Sequence, residues 1–159
     1  MPVAVNDVIA KARKVLQDES GVRWLTAELL LWTNDAQREI ALLKPDASAS
    51  NETIALVAGT KQYIPTDGNR LLEVVRNMSA ASGGTGRRSV RLVSREVLDA
   101  QTPDWHDPSV TGDAAHTAVI KHYMYDESNP RNFYVYPGAL SATSSFLEII
   151  YSKNPVTVV

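Results

Sequence analysis

Between residues 21 and 45 the apolar positions follow a helical period. Leu25, Leu29, Trp32, Ala36, Ile40 and Leu43 recur at spacings of three and four, one stripe of a helix that turns about 100° per residue. That stripe predicts a core-facing side. Leu31 and Leu42 fall roughly 120–140° from its centre at that turn angle, with Leu30 on the far flank, so a second surface is needed to cover them. Thr26 is the expected cap, Glu28 opposes the helix dipole in the first turn, and Lys44-Pro45 closes the far end. Ahead of it, Asn6 or Asp7 is placed to cap a shorter helix through Val8, Ile9, Ala12, Val15 and Leu16, ending near Ser20-Gly21.

The period changes after residues 46–52, an Ala-, Ser- and Asn-rich stretch read as a linker. Residues 53–57 and 62–64 flank Ala58-Gly59-Thr60-Lys61 and predict a hairpin. Residues 71–78 and 89–93 are further β-rich runs, separated by Ala81-Ser82-Gly83-Gly84-Thr85-Gly86. Ser94 is placed to cap a short helix through about Ala100, and the prolines make residues 102–108 a loop. Residues 118–125, 133–136 and 146–152 supply three more strands in which aromatic and branched residues alternate with polar ones. The pattern predicts an α+β fold: two bundle-like N-terminal helices, then an antiparallel β-sheet or sandwich with one short inserted helix.

A chain of 159 residues is long enough to bury a core without staples, and it contains no cysteine, which removes disulfides, thiolate nucleophiles and cysteine-based zinc sites. Its formal charge of −2 announces neither a nucleic-acid nor an anionic-membrane partner. Met1-Pro2-Val3-Ala4-Val5-Asn6-Asp7 lacks the basic and apolar regions of a signal peptide, and no apolar run reaches about 18 residues, so a soluble product without a membrane partner is expected.

Candidate chemistry is sparse. Gly83-Gly84-Thr85-Gly86-Arg87-Arg88-Ser89 lacks the Gly-Lys-Ser/Thr ending of a phosphate loop and leads into a β-rich run, so it reads as a mobile hairpin tip that becomes ordered against a neighbour. Arg76, Arg87, Arg88, Arg91 and Arg95 are dense enough to share a face and to meet carboxylates or DNA phosphates, or simply solvent. His116 and His122, on one predicted strand, would lie roughly 20 Å apart at about 3.3 Å per residue, too far to share a metal. Asp104, His106 and Asp107 beside Trp105 admit an acid/base pair, but no nucleophile elbow accompanies them, and a loop anchored by a buried Trp is the reading taken. Tyr123, Tyr125, Tyr134 and Tyr136 are read as cross-strand packing before a sugar- or base-stacking platform.

Several segments together carry a family resemblance: Asn34-Asp35-Ala36-Gln37-Arg38-Glu39-Ile40 within the long helix, Ala58-Gly59-Thr60-Lys61-Gln62-Tyr63-Ile64-Pro65, Leu72-Glu73-Val74-Val75-Arg76-Asn77-Met78, Arg95-Glu96-Val97-Leu98-Asp99, Pro103-Asp104-Trp105-His106, and Tyr134-Val135-Tyr136-Pro137. Over nearly its whole length the chain resembles the head-to-tail adaptor, or tail tubular protein, of short-tailed phages. The resemblance implies a structural virion protein, made in the host cytoplasm, whose copies form a ring, usually twelvefold, beneath the portal and above the tail nozzle. It implies a central channel that DNA crosses with only transient, non-specific contact, and no catalytic residue, cofactor or metal. Similar family members usually continue past a strand like 146–154 into helices that complete a bundle with the opening pair, whereas this chain stops at Val159. Cover for Leu31 and Leu42 then comes from the strands, from a neighbouring subunit, or from helices missing from a shortened chain. The whole chain is expected to form one adaptor domain, a helical part over 1–45 and a β-rich part over 53–159, with Leu31, Leu42, Arg87, Arg88, Arg91 and Arg95 at subunit or portal contacts. The rival readings are a carbohydrate- or receptor-binding β module of a phage tail, using the tyrosine-rich strands, and a small hydrolase, using the loop from Asp104 to Asp107.

Overall fold

A computed structural model describes residues 4–112 and 115–158; Met1–Val3 of the stretch inspected for a leader, and Val159, lie outside them. Two helices, α1 (Val5–Leu16) and α2 (Thr26–Leu43), lead through a 3-10 turn at Pro45–Ser48 into eight strands. These are β1 (Ala49–Ala55), β2 (Gly59–Tyr63), β3 (Gly68–Met78), β4 (Gly86–Ser89), β5 (Arg91–Leu92), β6 (His122–Tyr125), β7 (Asn132–Ala139) and β8 (Phe146–Lys153), with α3 (Arg95–Gln101) between β5 and β6. The α+β class, the order of helices before strands and the inserted helix are as the pattern predicts.

The strands form two four-stranded sheets, β1-β8-β3-β4 and β2-β7-β6-β5, antiparallel except where β5 runs parallel to β6. At one side β1 and β2 are the edges of different sheets, so residues 53–64 are not the hairpin their sequence predicts. The chain crosses there through Leu56, which is fully buried. Gln62 sets the crossing: its Nε2 donates to the carbonyls of Val57 (2.7 Å) and Gly59 (3.0 Å), and its Oε1 accepts the Val57 N–H (2.8 Å). Gly59, at φ 107°, takes a backbone conformation closed to other residues. On the opposite side β4 and β5 are likewise the edges of different sheets, and the chain crosses at buried Val90, splitting the single run expected over 89–93. Two further expectations fail. The stretch 46–52 is no linker but the 3-10 turn and the start of β1. The strand expected from Ala118 begins only at His122, so His116 and His122 share no strand.

Between the sheets lies the main core, with Leu71, Val74, Leu147, Ile149 and Tyr151 from one and Tyr123, Phe133 and Val135 from the other. On β3 the buried residues Leu71, Val74 and Asn77 recur every third position. Register shifts against β8 between Leu71 and Glu73 and between Val74 and Arg76 insert the extra residues that break strict alternation. The outer face of the second sheet carries a smaller core in which Leu98 of α3 and Trp105 cover Met124, Tyr134 and Tyr136.

Asn77 is polar and almost wholly enclosed. Its Nδ2 donates to the carbonyls of Arg88 (2.9 Å) and Ile120 (2.8 Å), while its Oδ1 accepts the Ile120 N–H (2.8 Å). One side chain of the first sheet thus holds the strand about to cross at Val90 and the segment entering β6. Asn77→Ala leaves the buried N–H and carbonyl of Ile120 and the part-buried carbonyl of Arg88 short of a partner, and we expect it to cost about 2–4 kcal/mol, read as a lowered midpoint in chemical denaturation with the slope unchanged.

Candidate functional site: an apolar helical hairpin and a basic sheet edge

The turn between the helices is built by Asp18, which the sequence reading overlooked. Its carboxylate accepts the backbone N–H groups of Val22 (3.0 Å), Arg23 (3.0 Å) and Trp24 (2.8 Å). The Trp24 bond is the chief reason that the carboxyl is held below its ordinary range. Neither expected cap is used: α1 follows Ala4, and α2 follows Leu25, whose N–H donates to Glu28 (3.2 Å). Thr26 instead accepts a bond from Arg13 of α1 (2.8 Å), and Trp24 meets Trp32 edge to face with centroids 5.2 Å apart.

The stripe predicted to face the core does not do so. On α2 only Leu29, Asn34 and Ala41 are buried, while Leu25, Trp32, Ala36, Ile40 and Leu43 are exposed. The helices touch the rest of the molecule at few points, and helical spacing cannot tell a core from an interface. Leu31 and Leu42 are 64% and 71% exposed, so the strands do not cover them. Between the helices runs an apolar groove of about 510 Å³, lined by Val8, Ile9, Val15, Leu29, Trp32 and Ala36 among others. The hairpin is tied down through Asn34, whose carboxamide donates to the Val158 carbonyl (3.0 Å) and accepts the Val158 N–H (2.8 Å).

The arginines do not form one cluster. Arg76 points from β3 to Glu148 of β8, and Arg95 lies 3.6 Å from Asp99 one helical turn on. Arg87 and Arg88 on β4 and Arg91 on β5 are exposed and, among the described residues, make no ion pair. Lys153, by contrast, is held between Asp67 (2.8 Å) and Glu52 (3.2 Å). Lys121, which sequence reasoning passed over, joins the basic edge. With Arg88 and Arg91 it surrounds His122, whose imidazole is held down first by burial and then by these three charges. Leucines and arginines therefore occupy separate surfaces: α2 leads through the 3-10 turn to β1, the edge of the first sheet opposite β4. The glycine-rich tip between β3 and β4 is pinned at its base, where Ser79 N–H donates to the Thr85 carbonyl (3.1 Å) and Thr85 N–H to Ser79 Oγ (2.8 Å).

The loop over residues 102–107 is held as a packed element. Trp105 is fully buried and donates from Nε1 to Asp99 (2.8 Å). His106 lies against it with ring centroids 3.6 Å apart and shares a 2.7 Å hydrogen bond with Thr60 of β2 through Nδ1. Asp107 is engaged by Ser109 through both N–H and hydroxyl. Two of the three residues of the hydrolase reading are thus turned to different partners, His106 to Thr60 and Asp107 to Ser109, while Asp104 is exposed. The tyrosines likewise divide between two faces, Tyr123 and Tyr125 toward the main core and Tyr134 and Tyr136 toward Trp105, so they build no common platform. No helix among the described residues is long and apolar enough to cross a membrane.

An apolar helical hairpin and a basic sheet edge are thus left exposed beside a sandwich with its own core. The family model of the SU10 adaptor protein matches residues 4–159, and the chain belongs to that family of phage adaptor proteins, a structural class and not an enzyme class. No curated protein matches the chain.

The histidines make a testable contribution. Burial holds the His106 imidazole below its ordinary value, with the nearby Asp99 carboxylate opposing. The unfolded chain then takes up a proton before the folded one does, and stability falls as pH drops through about 6.5. Thermal melts across this range should show a declining midpoint for the parent and a shallower decline for His106→Gln, with His122 supplying the remainder.

Proposed function

We propose that the whole chain, residues 1–159, acts as one adaptor domain whose copies assemble into a ring, twelvefold as in the adaptors it resembles, between the portal protein and the tail nozzle. DNA passes through the ring's centre. Such a part is made in the host cytoplasm and works in the virion by shape complementarity alone. The observation that carries this reading is the helical hairpin. Most of the exposed large apolar side chains lie between Val8 and Leu43, although the sandwich beside them has a closed core of its own.

Full burial is worth about 1.5–3 kcal/mol for a leucine, so Leu31 and Leu42 alone represent several kcal/mol that only a partner can recover. The exposed Trp32, Ile40 and Leu43 extend the same surface. Apolar surface of this extent is the mark of obligate interfaces. A neighbouring subunit is the cover proposed for the leucines, with the basic edge as a second, polar contact. A channel wall needs no strong field, which agrees with a formal charge of −2.

Light scattering on the protein alone and with a portal ring tests the assembly. Leu31→Asp with Leu42→Asp should leave the single chain folded, at a cost of about 1–2 kcal/mol from the lower helix propensity of Asp and its charge in the last turn of α2, because both sites already face water. Ring formation and portal docking should be lost. A double variant that assembles and docks like the parent would remove this face from the interface.

A further inference from the structure

We propose that neighbouring copies meet head to tail through oppositely charged sides of the sandwich, the basic edge of Arg87, Arg88, Arg91 and Lys121 against the acidic loop of Asp104 and Asp107 on the next copy. This rests on the ring reading above and adds to it which surfaces mate.

The charges are segregated along the chain. Between residues 74 and 95 the only charged side chains are arginines, while residues 96–120 carry carboxylates and no lysine or arginine. Arg95 stays with the acidic block, 3.6 Å from Asp99 on α3, but folding sends Arg87, Arg88 and Arg91 to the side of the second sheet away from Asp104 and Asp107. Arg91 lies on β5, one edge of the second sheet, beside Arg88 of β4 and paired in register with His122 of β6. The acidic block crosses the outer face of that sheet on α3, packs Trp105 over Tyr134 and Tyr136 of β7, and reaches β2, the opposite edge, through His106 and Thr60. Asp104 and Asp107, on either side of that contact, are both exposed. No ion pair within the chain engages Arg87, Arg88, Arg91, Lys121, Asp104 or Asp107 among the described residues. Although Ser109 engages the Asp107 carboxylate, both sides are free of intrachain ion pairs among the described residues and open to an opposite charge.

The arrangement also chooses among occupants. A two-fold contact through the β4–β5 edge would set arginines against arginines, a repulsive juxtaposition. A translation-like contact brings edge to loop, leaves the same two surfaces free at the ends, and repeats until it closes. The edges themselves fit such a meeting, because β4 and β5 present unpaired backbone groups that arginine side chains keep from indiscriminate pairing. Exposed ion pairs are individually weak, so the charged contact sets direction and register while the helical hairpin supplies most of the affinity.

The experiment is charge exchange, read by light scattering on the full chain, alone and with a portal ring, at low and high salt. One variant carries Arg88→Glu with Arg91→Glu, a second Asp104→Lys with Asp107→Lys, and a third all four; circular dichroism confirms folding. Should the second melt early through loss of the Asp107–Ser109 bonds, Asp104→Lys alone takes its place there and in the combined variant. Each reversal should weaken assembly about tenfold or more at low salt and less at high salt. An equimolar mixture of the first two, and the combined variant alone, should recover it. Reversals that assemble like the parent overturn the proposal and leave the ring reading standing. So does weakening that neither the mixture nor the combined variant reverses, since the two surfaces then do not meet each other. Loss of salt-dependent DNA binding by the first variant with assembly unchanged assigns the basic edge to nucleic acid instead. A parent that stays monomeric even on the portal ring removes the ring reading, and this proposal with it.

Discussion

The carboxamide of Asn77 holds two sheets in one register. By bonding to Arg88 and to both polar groups of the Ile120 peptide, it fixes the place where the chain leaves the first sheet and the place where it enters the middle of the second. Crossings at Val90 and Leu56 join the sheets at both sides, so neither layer can slide without distorting a buried turn. Gln62 does at the Leu56 crossing what Asn77 does near Val90, satisfying backbone groups that a corner would otherwise leave bare in an apolar interior. The sandwich makes its charged margins a defined surface: Arg88 and Arg91 flank the crossing that buried Val90 anchors.

The helical hairpin is the opposite kind of structure. Polar bonds hold it together, from Asp18 to the turn, from Arg13 to Thr26 and from Asn34 to Val158, while its apolar side chains face outward. The sandwich has a core of its own and carries charge at its margins; the hairpin is specified in shape by hydrogen bonds and leaves much of its apolar surface exposed.

The two opening helices, the turn to β-structure after them and the inserted helix are legible in the chain, because each rests on local periodicity. What local patterns do not encode is which element lies beside which. Residues 53–64 look like a hairpin since both runs are β-formers around a glycine, yet β1 pairs with β8 and β2 with β7. On β3 a spacing of three replaces alternation through bulges that only the register with β8 reveals. The stripe from Leu25 to Leu43 reads as core because amphipathicity marks a face that avoids water without saying whose surface covers it. For Leu31 and Leu42 the pattern asks for cover from the strands, a neighbour or further helices, and their exposure removes only the strands from that choice. Of the arginines, two are engaged at home by Glu148 and Asp99, and the added member of the basic edge, Lys121, sits outside the run that drew attention to them.

The position of β8 has a temporal consequence. It is the last of the strands among the described residues, yet it lies between β1 and β3 at the heart of its sheet, and the Asn51–Glu148 bond closes a separation of 97 residues. At roughly 5–20 residues per second, β1 leaves the ribosome some seconds before the strand that will pair with it exists. During that interval the turn that Asp18 builds between the helices can already form, while α2 lacks the Val158 backbone that Asn34 holds and the first sheet lacks its middle. The apolar helices are thus on offer before the platform that orients them is finished. A partner that required both the helical face and the sandwich edge would therefore pass over nascent chains and accept only those in which β8 has arrived.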